Sequence, residues 1–116
     1  MTKDIEIHIG GSFDDAARRI TKAWHKAEAG ESASEDHLTF VDWDAFARTM
    51  TAKRLELLRH LHRQPQTSIS ALAKSLGRDY RRVHEDVEIL SQAGLIERDS
   101  KGLRAGYDEI RTVIAL

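Results

Sequence analysis

Polar and apolar residues alternate over Asp4-Ile-Glu-Ile-His-Ile9, the period-two pattern of a half-buried strand. Gly10-Gly11 interrupts it. Ser12 or Asp14 can then cap a helix whose first turn carries Asp14 and Asp15, where the helix dipole favours acids. Phe13, Ala16 or Ala17, Ile20, Trp24 and Ala27 recur at three- and four-residue spacing, one apolar stripe ending before Gly30. A polar loop over 31–36 leads to a second strand, His37–Val41, and Asp42 caps a short helix through Met50. The first fifty residues are therefore expected to be β-α-β-α.

From Thr51 the pattern changes. Thr51 can cap a helix carrying Leu55, Leu58 and Leu61 on one side with Leu57 beside them, ending near Gln64-Pro65. Ser68 caps a short second helix with the stripe Ile69, Leu72, Ala73 and Leu76, and Gly77 suits the left-handed residue that ends it. Asp79 caps a third helix whose buried face is expected to hold Tyr80, Val83, Val87 and Leu90, with Gly94 as its stop. Leu95–Arg98 begins a strand, Ser100-Lys101-Gly102 is a turn, and Leu103–Tyr107 and Ile110–Leu116 are expected to return as strands. Helix, helix, turn, helix and β-hairpin is the order of a winged helix. The expected fold class is α+β, a winged helix-turn-helix over 51–116 with a β-α-β-α extension over 1–50.

The segment 68–87 carries the most specific chemistry. Arg78 precedes the third helix, and Arg81 and Arg82 lie in its first turn. A recognition helix enters the major groove by its N-terminal residues, and arginine bonds guanine O6 and N7 in bidentate fashion. Ser68, Ser70 and Lys74 on the second helix, Tyr80 and His84 on the third, and Lys101 and Arg104 in the wing complete the candidate DNA-binding set. The plainer reading is a solvated cationic face, with Glu85, Asp86 and Glu88 as a solvated acidic continuation.

Charge is unevenly distributed, in a sense that suits the first reading, although scatter of this size is ordinary and it is the placement of the cations that favours DNA. The chain has a net charge of −1. Residues 1–50 hold six Lys/Arg against ten Asp/Glu, and residues 51–116 hold twelve against nine. A basic C-terminal half suits a polyanion, and an acidic N-terminal half avoids it.

Residues 52–116 resemble winged-helix regulators of the MarR/ArsR type. The whole chain is similar to the HVO_A0114-like family of winged-helix DNA-binding proteins of archaea and bacteria, some of which look like antitoxins. The resemblance rests on Leu55-Glu-Leu-Leu-Arg59, Ile69-Ser-Ala-Leu-Ala-Lys-Ser-Leu-Gly-Arg-Asp-Tyr80, Val83-His-Glu-Asp-Val-Glu-Ile-Leu90 and Ala93-Gly-Leu-Ile-Glu-Arg98. It extends to the N-terminal strand, the acidic helix start and Tyr107-Asp-Glu-Ile-Arg111. The winged-helix fold, DNA binding and a toxin partner are what this resemblance implies.

Other classes find little support. With no Cys, disulfides, thiolate metal sites and Cys nucleophiles are excluded. Six His are present. His60 and His62 stand roughly 200° apart around a helix, and there is no His-x3-His, so no metal site and no cofactor are expected. Asp42-Trp43-Asp44 reads as capping, no phosphate loop or nucleophile elbow occurs, and no enzyme is expected. No apolar run approaches the ~20 residues of a membrane span, and the acidic start is unlike a signal peptide, so a cytoplasmic protein is expected.

Trp24, Phe40, Trp43 and Phe46 lie in the acidic half. They read as core of the extension or, with Ile7 and Ile20, as an interface for a second copy or a toxin-type protein. The expected function is a sequence-specific, dimeric transcriptional regulator that binds double-stranded DNA and represses its own operon. An antitoxin that neutralises a partner protein, with DNA binding secondary, is the alternative. A ligand-responsive sensor is a third class, for which no pocket is readable.

Overall fold

The computed structural model describes residues 3–11 and 35–116. The helix expected between residues 12 and 29, with Ile20 and Trp24, lies outside the described residues. Along these the elements are β1 (Asp4–Ile9), β2 (Glu35–Phe40), α1 (Trp43–Thr49), α2 (Ala52–Arg63), α3 (Ile69–Leu76), α4 (Tyr80–Gln92), β3 (Glu97–Asp99), β4 (Gly102–Arg104) and β5 (Glu109–Ile114). This is a mixed α and β chain, compatible with the α+β class. It forms two compact units, Met1–Phe46 with Tyr107–Leu116, and Ala47–Gly106.

In the first unit β1 is the middle strand of a parallel sheet ordered β2-β1-β5. Ile7 lies opposite Leu38 on one side and Thr112 on the other. The alternation in β1 sends Ile5, Ile7 and Ile9 to one face, where each is fully or almost fully buried. The neighbouring faces differ: Asp4 and Glu6 are half-buried and His8 is buried. Asp42 Oδ1 caps α1 by accepting from the Ala45 N–H at 2.8 Å.

Strand β5 corrects the sequence reading. The chain pattern predicts a tail that closes a hairpin with the helical half; instead Glu109–Ile114 pairs along the whole of β1. The units therefore do not divide at residue 50. A central strand has N–H and C=O groups on both edges that need partners. At six residues β5 matches the length of β1, whereas β3 and β4 have only three each. Of Leu103–Tyr107, only Leu103 and Arg104 fall within β4.

The second unit has its own core. Leu57, Leu58 and Leu61 of α2, Ile69, Leu72 and Ala73 of α3, and Val83, Val87 and Leu90 of α4 are buried with Leu95, Ile96, Leu103 and Ala105. The expected caps form: Thr51 Oγ1 accepts from Arg54 N–H, Ser68 Oγ from Ala71 N–H and Asp79 Oδ2 from Arg82 N–H. Strands β3 and β4 pair antiparallel, Arg98 against Leu103. Gln66, between α2 and α3, adds an antiparallel bridge to Leu103, through N–H to O bonds of 3.1 and 2.7 Å. No helix among the described residues is long and apolar enough to cross a membrane.

Candidate nucleic-acid interface

Helices α3 and α4 are joined by Gly77-Arg78-Asp79. Gly77 takes φ +65°, the left-handed conformation that costs glycine least. Its N–H donates to the Lys74 carbonyl, and the Arg78 N–H donates to Ala73 O at 3.0 Å, closing the last turn of α3. Asp79 then caps α4, so the turn needs no further partner to end one helix and start the next.

Arg81 and Arg82 leave the first turn of α4 as exposed side chains, and neither joins an ion pair among the described residues. Ser68, Ser70 and Lys74 are exposed on α3 and its cap. Tyr80 is 52% exposed, so it does not belong to the buried stripe, which begins at Val83. Helical side chains lean towards the N-terminus, and at the first position there is no preceding turn to lie against. Its ring instead meets His84, centroids 5.9 Å apart, and His84 is itself exposed.

The acids that follow these arginines are mostly engaged. Asp86 is buried rather than solvated, a correction of the sequence reading. Its Oδ1 accepts from Arg54 Nε at 3.0 Å and its Oδ2 from an Arg78 terminal nitrogen at 2.9 Å. Arg54 also donates to the carbonyls of Arg48 and Thr49. One carboxylate thus joins α2, α4 and the turn between α3 and α4. Arg78, assigned from sequence to DNA, has its guanidinium turned to this inner bridge. Glu88 accepts from Arg98 at 2.6 Å, and that bond holds its carboxyl below the usual carboxylate range. Glu85 stays exposed.

The β3–β4 hairpin is internally paired too. Arg104 donates to Asp99 at 2.8 Å and lies 2.9 Å from Glu97. The Arg104 bond first, and the Lys101 N–H second, hold the Asp99 carboxyl low; the same Asp99 bond raises the Arg104 guanidinium. The Lys101 side chain is exposed at the tip. Lys74, Arg81 and Arg82 are thus exposed cations, with Glu85 exposed beside the arginines and the Asp79 carboxylate at the α4 cap, while Asp86 and Glu88 are held by other arginines.

Of the residues assigned to a protein interface, the described ones, Ile7, Phe40, Trp43 and Phe46, divide. Ile7 has no exposed surface and is core, because the central strand buries that face. Phe40 and Phe46 are half-buried and meet edge to face, centroids 5.5 Å apart. Trp43 packs on Phe46 at 5.4 Å yet remains 53% exposed. Ile110, Val113 and Ile114 of β5 are also exposed, which sequence reasoning missed by sending that strand elsewhere.

A family model described as HVO_A0114 matches residues 49–112, rather more than half of the chain. Neither a curated protein nor a solved structure matches it.

Proposed function

We propose, from the premise that this chain belongs to the HVO_A0114 family, that it is a sequence-specific DNA-binding regulator of the winged-helix type. It works as a cytoplasmic dimer, represses its own promoter and carries no catalytic chemistry. The observation that carries the reading is the exposed Arg81–Arg82 pair at the start of α4, neither of them in an ion pair among the described residues. There, arginine can reach guanine edges while Ser68, Ser70 and Lys74 meet phosphates. Withdrawal of Asp86 and Glu88 into ion pairs with Arg54, Arg78 and Arg98 supports it, because acids facing phosphates would oppose binding. The exposed apolar residues of β5 and Trp43 favour a protein contact, and a second copy is the occupant that half-sites about one DNA turn (~34 Å) apart would require.

Fluorescence anisotropy against DNA from the protein's own upstream region tests this. Salt-dependent binding is expected, with Arg81→Ala and Arg82→Ala each weakening it by ~1–3 kcal/mol at unchanged melting temperature. Wild-type affinity in both variants would sink the recognition-helix assignment. Sedimentation should give a dimer. A monomer that binds no upstream DNA but binds the product of a neighbouring toxin gene would replace this reading with the antitoxin.

A further inference from the structure

The first unit holds a second constellation. Glu6 and His8 stand two residues apart on β1, so they share the sheet face opposite Ile5, Ile7 and Ile9. The parallel register sets His37 of β2 directly against Glu6. Three donor atoms converge as a result. His8 Nε2 lies 2.7 Å from Glu6 Oε1, His37 Nδ1 lies 3.3 Å from His8 Nε2, and His37 Nδ1 lies 3.9 Å from the same Glu6 oxygen. The two imidazole rings are 5.5 Å apart, tilted by 32°.

We infer that Glu6, His8 and His37 form a binding site for one divalent transition-metal ion of the zinc class. Zinc bonds of about 2.0–2.2 Å to nitrogen and oxygen imply donor–donor edges of ~3.3–3.5 Å in a tetrahedron. The three separations straddle that edge, so shifts of a few tenths of an ångström seat the ion. Two imidazoles with one carboxylate select zinc, cobalt, nickel or copper over calcium or magnesium, which prefer all-oxygen shells. Burial is graded across the site: the His8 side chain keeps 10% of its surface, Glu6 29% and His37 31%. The deep side is thus shielded, and the ion enters, with a water as fourth ligand, past Glu6 and His37. Bound there, it fastens β2 to the central strand, bridging side chains across a backbone ladder already in place.

The inference is independent of the DNA-binding reading. Its test uses the full chain without a polyhistidine tag, titrated with Co2+ and followed by visible absorption, then displaced with Zn2+ in calorimetry. One ion per chain, with intense tetrahedral cobalt bands, is expected. Glu6→Gln and His37→Ala should each weaken uptake by about tenfold or more, a loss at least as large as second-shell changes cause. Because His37 is exposed, His37→Ala should keep the wild-type circular dichroism, so its loss of metal cannot be ascribed to unfolding. His60→Ala, outside the site, should bind as wild type does. No uptake of either metal, or equal affinity in wild type and His37→Ala, overturns the site. It would leave only a hydrogen-bonded Glu-His-His cluster.

Discussion

Asp86 shows how one side chain changes meaning between sequence and fold. It stands in a charged run beside Glu85 and Glu88, a composition that by itself predicts a solvent-facing stretch. Its spacing from Val83 and Leu90, three and four residues, places it on the buried stripe instead. Such a carboxylate is tolerated inside only if paired, and Arg54 and Arg78 supply the charges. The stripe position was legible; Arg54 was not, since it lies 32 residues away on another helix. Asp86→Asn should cost about 3 kcal/mol in urea unfolding, the lower end for breaking a buried pair, because these groups retain some solvent contact. A loss below about 1 kcal/mol would class the bridge with surface pairs.

The elements that present the candidate interface depend on backbone details at their ends. Gly102, the first residue of β4, has φ +130°, and a Cβ there would overlap the Gln66 carbonyl oxygen and press on Thr67 Cα at 2.9 Å. Both obstacles are backbone, so neither can rotate away. Gly102→Ala should therefore destabilise by more than the ~1–3 kcal/mol of a strained conformation alone. It should also break the Gln66–Leu103 bridge, seen as faster amide exchange at Leu103; unchanged exchange and melting would refute the close approach. The charges of the β3–β4 hairpin act more mildly. Asp99 titrates low because Arg104 and the Lys101 N–H favour its anion. Its small contribution is present above the ordinary carboxylate range and is lost as pH falls through the lowered value. In Arg104→Ala the Asp99 midpoint, followed by carboxyl carbon NMR, should move up towards the ordinary range. An unmoved midpoint would show that the contact is not made in solution.

At the scale of the molecule, the chain crosses between its units twice, leaving the sheet after β2 and returning to it at β5. The natural fragment is thus 47–106, which encloses the buried set from Leu57 to Ala105. It should unfold cooperatively as a monomer and, on the proposed DNA-binding reading, bind DNA weakly with little sequence preference. A fragment 47–116 adds β5 without β1, leaving Ile110, Val113 and Ile114 on an unpaired strand, a template for association. Sedimentation should show the longer fragment self-associating and the shorter one not. If 47–106 fails to fold, its core depends on the other unit.

Local information was enough for the helices from Thr51 to Gln92, their caps, the Gly77 turn and the exposure of Arg81 and Arg82, though not for the inward turn of Arg78. Each of these follows from spacing and end chemistry within a few residues. The buried face of β1 was legible for the same reason, as a two-residue alternation. Pairing was not. A strand pattern states which face is apolar and nothing about which strand lies beside it, so β5 was assigned to the wrong partner. The register that sets His37 against Glu6 could not be foreseen either. No helical or short-range spacing joins residues 6, 8 and 37, and a search for ligand motifs along the chain passes over them. The sheet brings them together because hydrogen-bonded parallel strands hold equivalent positions about 4.8 Å apart, whatever the length of chain between.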